Sequence, residues 1–135
     1  MTTVMLPGPL LREALVAEHE DRMLFGGEGA QAALDGIASV ASNRGCTAIV
    51  GASSSGDRLV GALLLSLPGV FHVWSPGSAE PVLVVEGVAR ADNAVRRAMD
   101  LVSRCGASAA FGVMISPAEI HATVNVSSIE IIGSY

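Results

Sequence analysis

Apolar residues recur at helical spacing in two segments near the start of the chain. The first segment spans residues 10–25, and Gly26-Gly27 follows it. The second segment carries alanine, leucine and isoleucine on one face between residues 30 and 41. Gly45 stands just beyond that face, where a left-handed residue commonly ends a helix. Each pattern predicts an amphipathic helix.

From residue 46 onwards, short apolar runs alternate with helical patterns, and turn residues separate them. The runs predict buried strands over residues 46–50, 70–74, 81–85 and 109–115. Alternating apolar and polar residues in the tail, between 124 and 131, predict a last strand or hairpin. The helical patterns cover residues 57–66, with Asp57 as the predicted N-cap, and residues 95–105, with Gly106 at the end.

This alternation predicts an α/β fold in which residues 1–135 form a single three-layer domain. Strands separated by helices favour right-handed crossovers and a mostly parallel sheet, here of about five strands. Apolar strands without alternation are typical of a sheet that helices cover on both faces. Ligands of such sheets bind beyond the carboxyl ends of the strands. The two loops in that position are residues 52–56 and 86–93.

The first loop, Gly51-Ala52-Ser53-Ser54-Ser55-Gly56, follows a strand and opens a helix. Backbone N–H groups at a helix N-terminus attract anions, and the three serine hydroxyls add donors. We therefore expect an anion site at Ala52, Ser53, Ser54, Ser55 and Gly56, with Arg58 as a partner for phosphate. The alternative is a glycine turn that only reverses the chain.

Three more specific sequence motifs can be excluded at this loop. Asp57-Arg58 stands where a P-loop requires Lys-Ser/Thr. A nucleophile elbow needs glycine at position 55, and a Rossmann fingerprint needs glycine at position 53; both positions hold serine.

The second loop carries a more specific pattern. Val82-Leu83-Val84-Val85-Glu86-Gly87-Val88-Ala89-Arg90-Ala91-Asp92-Asn93-Ala94 places four apolar residues before an acid and a polar loop that opens a helix. This run resembles the phosphoribosyl-pyrophosphate motif of type I phosphoribosyltransferases, and in particular the V-E-D-V-x-T-T-G-G-S form of the orotate branch. The run Ile49-Val50-Gly51-x4-Gly56-x2-Leu59-x2-Ala62-Leu63 is similar to that family's pyrophosphate loop and the helix behind it. The resemblance covers residues 28–115.

The resemblance implies a role for each matched position. Residues Ala52 to Ser55 would hold the pyrophosphate, and Glu86 would be the catalytic acid that faces the ribose hydroxyls. The 5′-phosphate would lie against Arg90, Ala91, Asp92, Asn93 and Ala94, and Mg²⁺ would accompany phosphoribosyl pyrophosphate. No other cofactor is predicted. The histidines have no metal-ligand spacing, so no protein metal site is predicted.

The sequence also departs from the family pattern. Gly87 replaces the second acid, and Arg90 to Ala94 replace a cradle in which glycines and hydroxyls approach the phosphate. Asp92 is either an anion within that cradle or a helix N-cap. Active relatives carry a long mobile loop where this chain has the short segment 75–80, and the catalytic lysines of the orotate branch have no counterpart.

These departures favour a non-catalytic phosphoribosyltransferase-like protein that binds a phosphorylated ligand or a protein partner. Two alternatives stay open: an active orotate-type transferase that depends on Glu86, and a purely structural subunit whose site is filled. The short segment 10–25, where the family has its base-binding cap, leaves the base unidentified.

Composition narrows the possible partners. The net charge is −5 and all eight basic residues are arginines, so nucleic-acid binding is not expected. Neither a signal peptide nor a membrane-length apolar stretch is evident, which predicts a cytoplasmic protein with no membrane contact. Cys46 and Cys105 are expected as unpaired thiols in a reduced compartment. The apolar content and the exposed sheet edges favour a homodimer.

Overall fold

The computed structural model describes residues 28–88, 93–115 and 129–131. It contains three helices, which are α1 (Glu28–Arg44), α2 (Ser54–Ser66) and α3 (Asn93–Arg104). The five strands are β1 (Ala48–Gly51), β2 (His72–Val73), β3 (Val82–Val88), β4 (Ala110–Ile115) and β5 (Ile129–Ile131). The predicted helix over residues 10–25 lies outside the described residues.

All five strands belong to one parallel sheet, in the order β2-β1-β3-β4-β5. Ala48 in β1 lies between His72 and Val82, and Val82 in turn pairs with Ala110. The tail strand β5 pairs in parallel with β4, where Ile129 lies opposite Gly112. The predicted α/β fold with a mostly parallel sheet of about five strands is confirmed.

Helices cover the two faces of the sheet, which is why its central strands are apolar except for Glu86 in β3. Buried residues of α1 and α2 pack with Ile49, Leu83 and Val85 on one face. On the other face, α3 and Trp74 pack against Val82 and Val84. These two clusters give the predicted three layers, with the sheet in the middle.

The last strand is tied to the first helix by an ion pair. The guanidinium Nη2 of Arg44 lies 3.1 Å from Oε1 of Glu130, and its Nε donates to the same oxygen over 3.3 Å. The Arg44 guanidinium also lies over the Phe111 ring, with Cζ 5.0 Å from the ring centroid. A residue at the end of α1 therefore contacts both β4 and β5.

Two predicted boundaries are wrong. Helix α2 begins at Ser54 with Ser53 in the N-cap position, so Asp57 lies inside the first turn and is not the cap. Strand β3 continues to Val88, so Glu86 is part of the strand and not of the following loop. The first correction reflects the close contact of α2 with the end of β3, and the second reflects the pairing of Glu86 and Val88 with β4. The glycines predicted to end α1 and α3 do have positive φ, 69° at Gly45 and 118° at Gly106.

No helix in the part of the chain that the structure describes is both long and apolar enough to cross a membrane.

Candidate functional site

The carboxyl ends of β1 and β3 lie side by side, and this brings the predicted loop of residues 52–56 next to Glu86. Gly51, the last residue of β1, is paired with Val85. The next residue, Ala52, donates its N–H to the Val85 carbonyl over 2.8 Å. Helix α2 therefore starts directly beside Glu86, and the end of β3 forms one wall of its N-terminus.

Two glycines allow this close approach. A Cβ on Gly56 would overlap the carbonyl oxygen of Val85, a backbone atom that cannot turn away. A Cβ on Gly51 would overlap the backbone and the carboxylate of Asp57. The spacing of five residues between the glycines thus has a packing reason: it lets the first turn of α2 sit on the ends of β1 and β3.

The three serines of the loop have different surroundings. Ser53 and Ser55 are half-buried, and their hydroxyls lie 3.4 Å apart. Ser54, at the first position of α2, is exposed. The Ser53 hydroxyl makes no capping bond to the N–H groups of its own helix. Instead, the hydroxyls of Ser53 and Ser55 both donate to Oε1 of Glu86, the latter over 2.9 Å.

Glu86 is the single buried polar or charged side chain in the described residues, with 4% of its surface exposed. It pairs with Met114, whose side chain belongs to the cluster on the α3 face. The backbone N–H of Gly87 donates to the same Oε1 over 2.9 Å. Three donors therefore converge on one carboxylate oxygen, and charge-assisted bonds of this kind offset the cost of burying an ion.

A β-bulge follows Glu86 directly. Glu86 pairs with Met114 and Val88 pairs with Ile115, so Gly87 is an extra residue in β3. Bulges re-aim the neighbouring side chains, and glycine is common at them. Gly87, which stands where the phosphoribosyl-pyrophosphate motif has its second acid, thus forms the bulge after Glu86. Its backbone N–H is also one of the three donors to the Glu86 carboxylate.

Comparison with solved structures finds the same architecture in phosphoribosyltransferases. An orotate phosphoribosyltransferase from Aeropyrum pernix superimposes with a TM-score of 0.60 and 17% identity, over 84% of this chain and 75% of that one. The fold is that of a type I phosphoribosyltransferase. A hypoxanthine-guanine phosphoribosyltransferase from Bacillus anthracis gives a TM-score of 0.53 and 10% identity, over 78% of this chain and 76% of that one. No protein-family model and no curated protein matches the sequence.

Three other residues predicted for the site, Arg58, Asn93 and Ala94, lie at the starts of α2 and α3. Arg58 is exposed near the start of α2. Asn93 begins α3 and is exposed, while Ala94 is half-buried beside it. The described residues do not include Arg90, Ala91 and Asp92. The two predicted roles of Asp92, as part of a phosphate cradle or as a helix N-cap, therefore stay predictions.

The connection between β2 and β3 runs along the opposite end of the sheet. Gly77 donates its N–H to the Cys105 carbonyl over 2.7 Å, and Ser108 donates to the Ala79 carbonyl over 3.2 Å. The Trp74 indole N–H reaches the Ser78 carbonyl over 3.3 Å. Since Cys105 and Ser108 lie between the end of α3 and the start of β4, these bonds hold the short connection away from Glu86.

A second polar cluster lies on that connection. Oε2 of Glu80 is 2.9 Å from Nε2 of His72 and accepts a bond of the same length from the Ser78 hydroxyl. The hydrogen bond from His72, followed by that from Ser78, lowers the pKa of the Glu80 carboxyl. Within residues 28–88, 93–115 and 129–131, no three His, Cys, Asp or Glu side chains are arranged to hold a metal ion.

Sequence reasoning missed one relationship at this site. It assigned Ser53 and Ser55 to a ligand and Glu86 to ribose, whereas the structure bonds the serines to Glu86. The two serines are separated by one residue, and no periodic signal links them to a glutamate more than 30 positions away. The N–H of Gly87 as a donor is likewise visible only in the folded chain.

Proposed function

We propose that this chain is a non-catalytic phosphoribosyltransferase-like protein that binds a phosphorylated small molecule at the N-terminus of α2. The observation that carries the proposal is the hydrogen bonding of Ser53 and Ser55 to Glu86, which joins the serine loop and the end of β3 into one polar site. The fold and the position of this site at the carboxyl ends of β1 and β3 support a phosphoryl ligand.

The first turn of α2 provides suitable donors. The N–H groups at the start of a helix have no partner within the helix, and they carry the positive end of its dipole. The Ser53 side chain does not cap them, and the exposed Ser54 hydroxyl stands next to them. Arg58 lies one turn further along the same helix. A phosphate group fits this combination of N–H, hydroxyl and guanidinium donors.

Four features support binding without turnover. Oε1 of Glu86 already accepts three hydrogen bonds, and Gly87 stands in place of the second acid. The connection between β2 and β3 is short and fastened at the far end of the sheet, so it does not supply a closing loop. The sequence also has no lysine to stabilise the charge that develops on a leaving pyrophosphate.

Mg²⁺ would enter this site with the ligand. The described site offers one buried carboxylate, and Mg²⁺ prefers one or two carboxylates together with substrate phosphates and water. We therefore propose that any magnesium is held mainly by the phosphate oxygens of the ligand.

The first test is calorimetric titration with phosphoribosyl pyrophosphate in the presence of Mg²⁺. We expect saturable binding that weakens at least tenfold in Ser54→Ala and in Arg58→Ala. Ser66→Ala and Arg104→Ala are matched controls at exposed positions near the ends of α2 and α3, and they should bind as the unmodified protein does. Absence of binding by the unmodified, folded protein would refute the proposal.

Catalysis is tested separately by following nucleotide formation from orotate and from purine bases. We expect none above the uncatalysed rate. Nucleotide formation that disappears in Glu86→Ala would establish the alternative of an active orotate-type transferase, in which Glu86 is the catalytic residue.

The filled polar site and the exposed apolar residues favour a second candidate, a structural subunit that acts through protein contacts. Strand β2 forms an edge of the described sheet. Val73 on this strand is 52% exposed, and Val70 just before it is 49% exposed. We propose that this edge contributes to a homodimer in the cytoplasm. Sedimentation equilibrium should show a dimer that Val73→Lys dissociates, and a monomer at all concentrations would exclude it.

A further inference from the structure

Glu86 has surroundings that are unusual for a buried ion. No ion pair joins it to another described residue, although its side chain is almost completely enclosed. Among the described residues its charge is compensated by neutral donors, which are two hydroxyls and one backbone N–H. Neutral hydroxyl and N–H donors at the start of a helix are the same groups that bind phosphate in proteins.

The carboxylate and a ligand phosphate would need the same protons. Each serine hydroxyl has one proton to donate, and those of Ser53 and Ser55 point to Oε1 of Glu86. A phosphate at these hydroxyls would also lie within a few ångströms of a like charge, which is unfavourable in a site of low dielectric constant. The two anions therefore compete for the same donors.

We propose that Glu86 is an internal anion that competes with phosphate for the N-terminus of α2. The inference rests on the proposed function, and it adds the regulation of that site. A phosphorylated ligand binds fully only when the carboxylate turns away from Ser53 and Ser55. The affinity of the site is thus set by the free energy of releasing Glu86 from its three donors.

The experiment is a calorimetric titration with inorganic phosphate of three proteins: the unmodified chain, Glu86→Gln and Glu80→Gln. Glutamine keeps the size and an acceptor oxygen but removes the charge, so we expect Glu86→Gln to bind phosphate at least tenfold more tightly. Glu80→Gln removes the same charge from an exposed position on the β2–β3 connection, and its affinity should be unchanged. This control separates local competition from the change in net charge.

Glu86→Met provides a second variant, because a buried ion can often be replaced by an apolar side chain of similar length without loss of stability. It leaves both serine hydroxyls free, so the increase in phosphate affinity should be at least as large as in Glu86→Gln. Circular dichroism verifies that each variant is folded. The phosphate affinity of whichever Glu86 variant is folded, Glu86→Gln or Glu86→Met, decides between the outcomes.

The outcomes separate the inference from the proposed function. Tighter phosphate binding in the Glu86 variants alone, relative to the unmodified protein and to Glu80→Gln, supports the inference. Equal or weaker binding in the Glu86 variants, with measurable binding by the unmodified protein, overturns the inference and leaves the proposed function standing. Absence of phosphate binding in every folded protein overturns both.

Discussion

The Ser55 hydroxyl donates a hydrogen bond to the Glu86 carboxylate over 2.9 Å, and this bond connects the first turn of α2 to the end of β3. It joins two residues that lie 31 positions apart in the sequence. With Ser53 and Gly87, it compensates the single buried charge of the described structure.

Ser55→Ala is therefore expected to destabilise the fold by about 1–3 kcal/mol, because it leaves a buried carboxylate short of a donor. Ser54→Ala is the matched control, since Ser54 is exposed on the same helical turn and should change stability by less than about 0.5 kcal/mol. Urea unfolding measures both. Equal effects of the two substitutions would mean that the bond to Glu86 does not stabilise the fold.

The two glycines of α2 provide a sharper contrast. Gly56→Ala places a Cβ against the Val85 carbonyl, so it should cost about 3 kcal/mol or more, or prevent folding. Gly61 lies in the same helix, and a Cβ added there would meet no atom within 4 Å. Gly61→Ala should stabilise the protein by about 1 kcal/mol through helix propensity. Thermal and urea unfolding of both variants test the packing of α2 on β3, and a tolerated Gly56→Ala would contradict it.

The pair of Arg44 and Glu130 tests the position of the tail strand. Their side chains are about one-third exposed, at 30% and 39%, so we expect a coupling energy of about 0.2–1 kcal/mol in a double-mutant cycle with alanine. Arg104 and Glu130 form the control cycle, because Arg104 ends α3 on the other face of the sheet. That cycle should be additive within about 0.5 kcal/mol. A first cycle with no more coupling than the control would mean that this ion pair does not stabilise the tail strand.

The buried thiol predicts a loss of stability in alkali. Burial raises the pKa of the Cys46 thiol above its usual value of 9.0, and the nearby Arg44 opposes this only in part. The folded protein therefore holds the thiol proton more tightly than the unfolded chain. Stability should be unaffected well below pH 9 and should fall as the pH rises from 9 through the raised pKa. Cys46→Ala should lack this pH-dependent contribution to stability. The difference between the urea unfolding midpoints of the unmodified protein and of Cys46→Ala should therefore shrink or reverse between pH 8 and 10. A constant difference would contradict the shift.

The Glu80 carboxyl predicts an effect of the opposite sign in acid. Its lowered pKa means that its contribution to stability is present above the usual pKa of 4.5 and is lost as the pH falls through the lowered value. The effect should be small because the group is exposed to solvent. His72→Ala should remove most of it, and NMR titration of the Glu80 side chain measures the pKa directly. An unchanged Glu80 pKa in His72→Ala would contradict the assignment.

The strands that could be predicted best are those with continuous apolar runs. The apolar runs at residues 81–85 and 109–115 predicted β3 and β4 to within a few positions. A strand that helices cover on both faces has apolar residues on both sides, so it appears in the sequence as a continuous apolar run. The run 70–74 was harder to delimit, because β2 is an edge strand of two residues. The start of α2 was misplaced because its position depends on the contact of Gly56 with Val85, which no local signal reveals.

The sequence by itself determined the layers, the order of helices and strands, and the two loops at the carboxyl ends of β1 and β3, because hydrophobic periodicity and turn residues act locally. It also carried the resemblance that the phosphoribosyltransferase-like fold confirms. Only the tertiary structure decided which serine faces which group. Ser53 and Ser55 turn to Glu86 and Ser54 turns to solvent, because a buried carboxylate must find donors and the packing of α2 on β3 brings those two hydroxyls within reach.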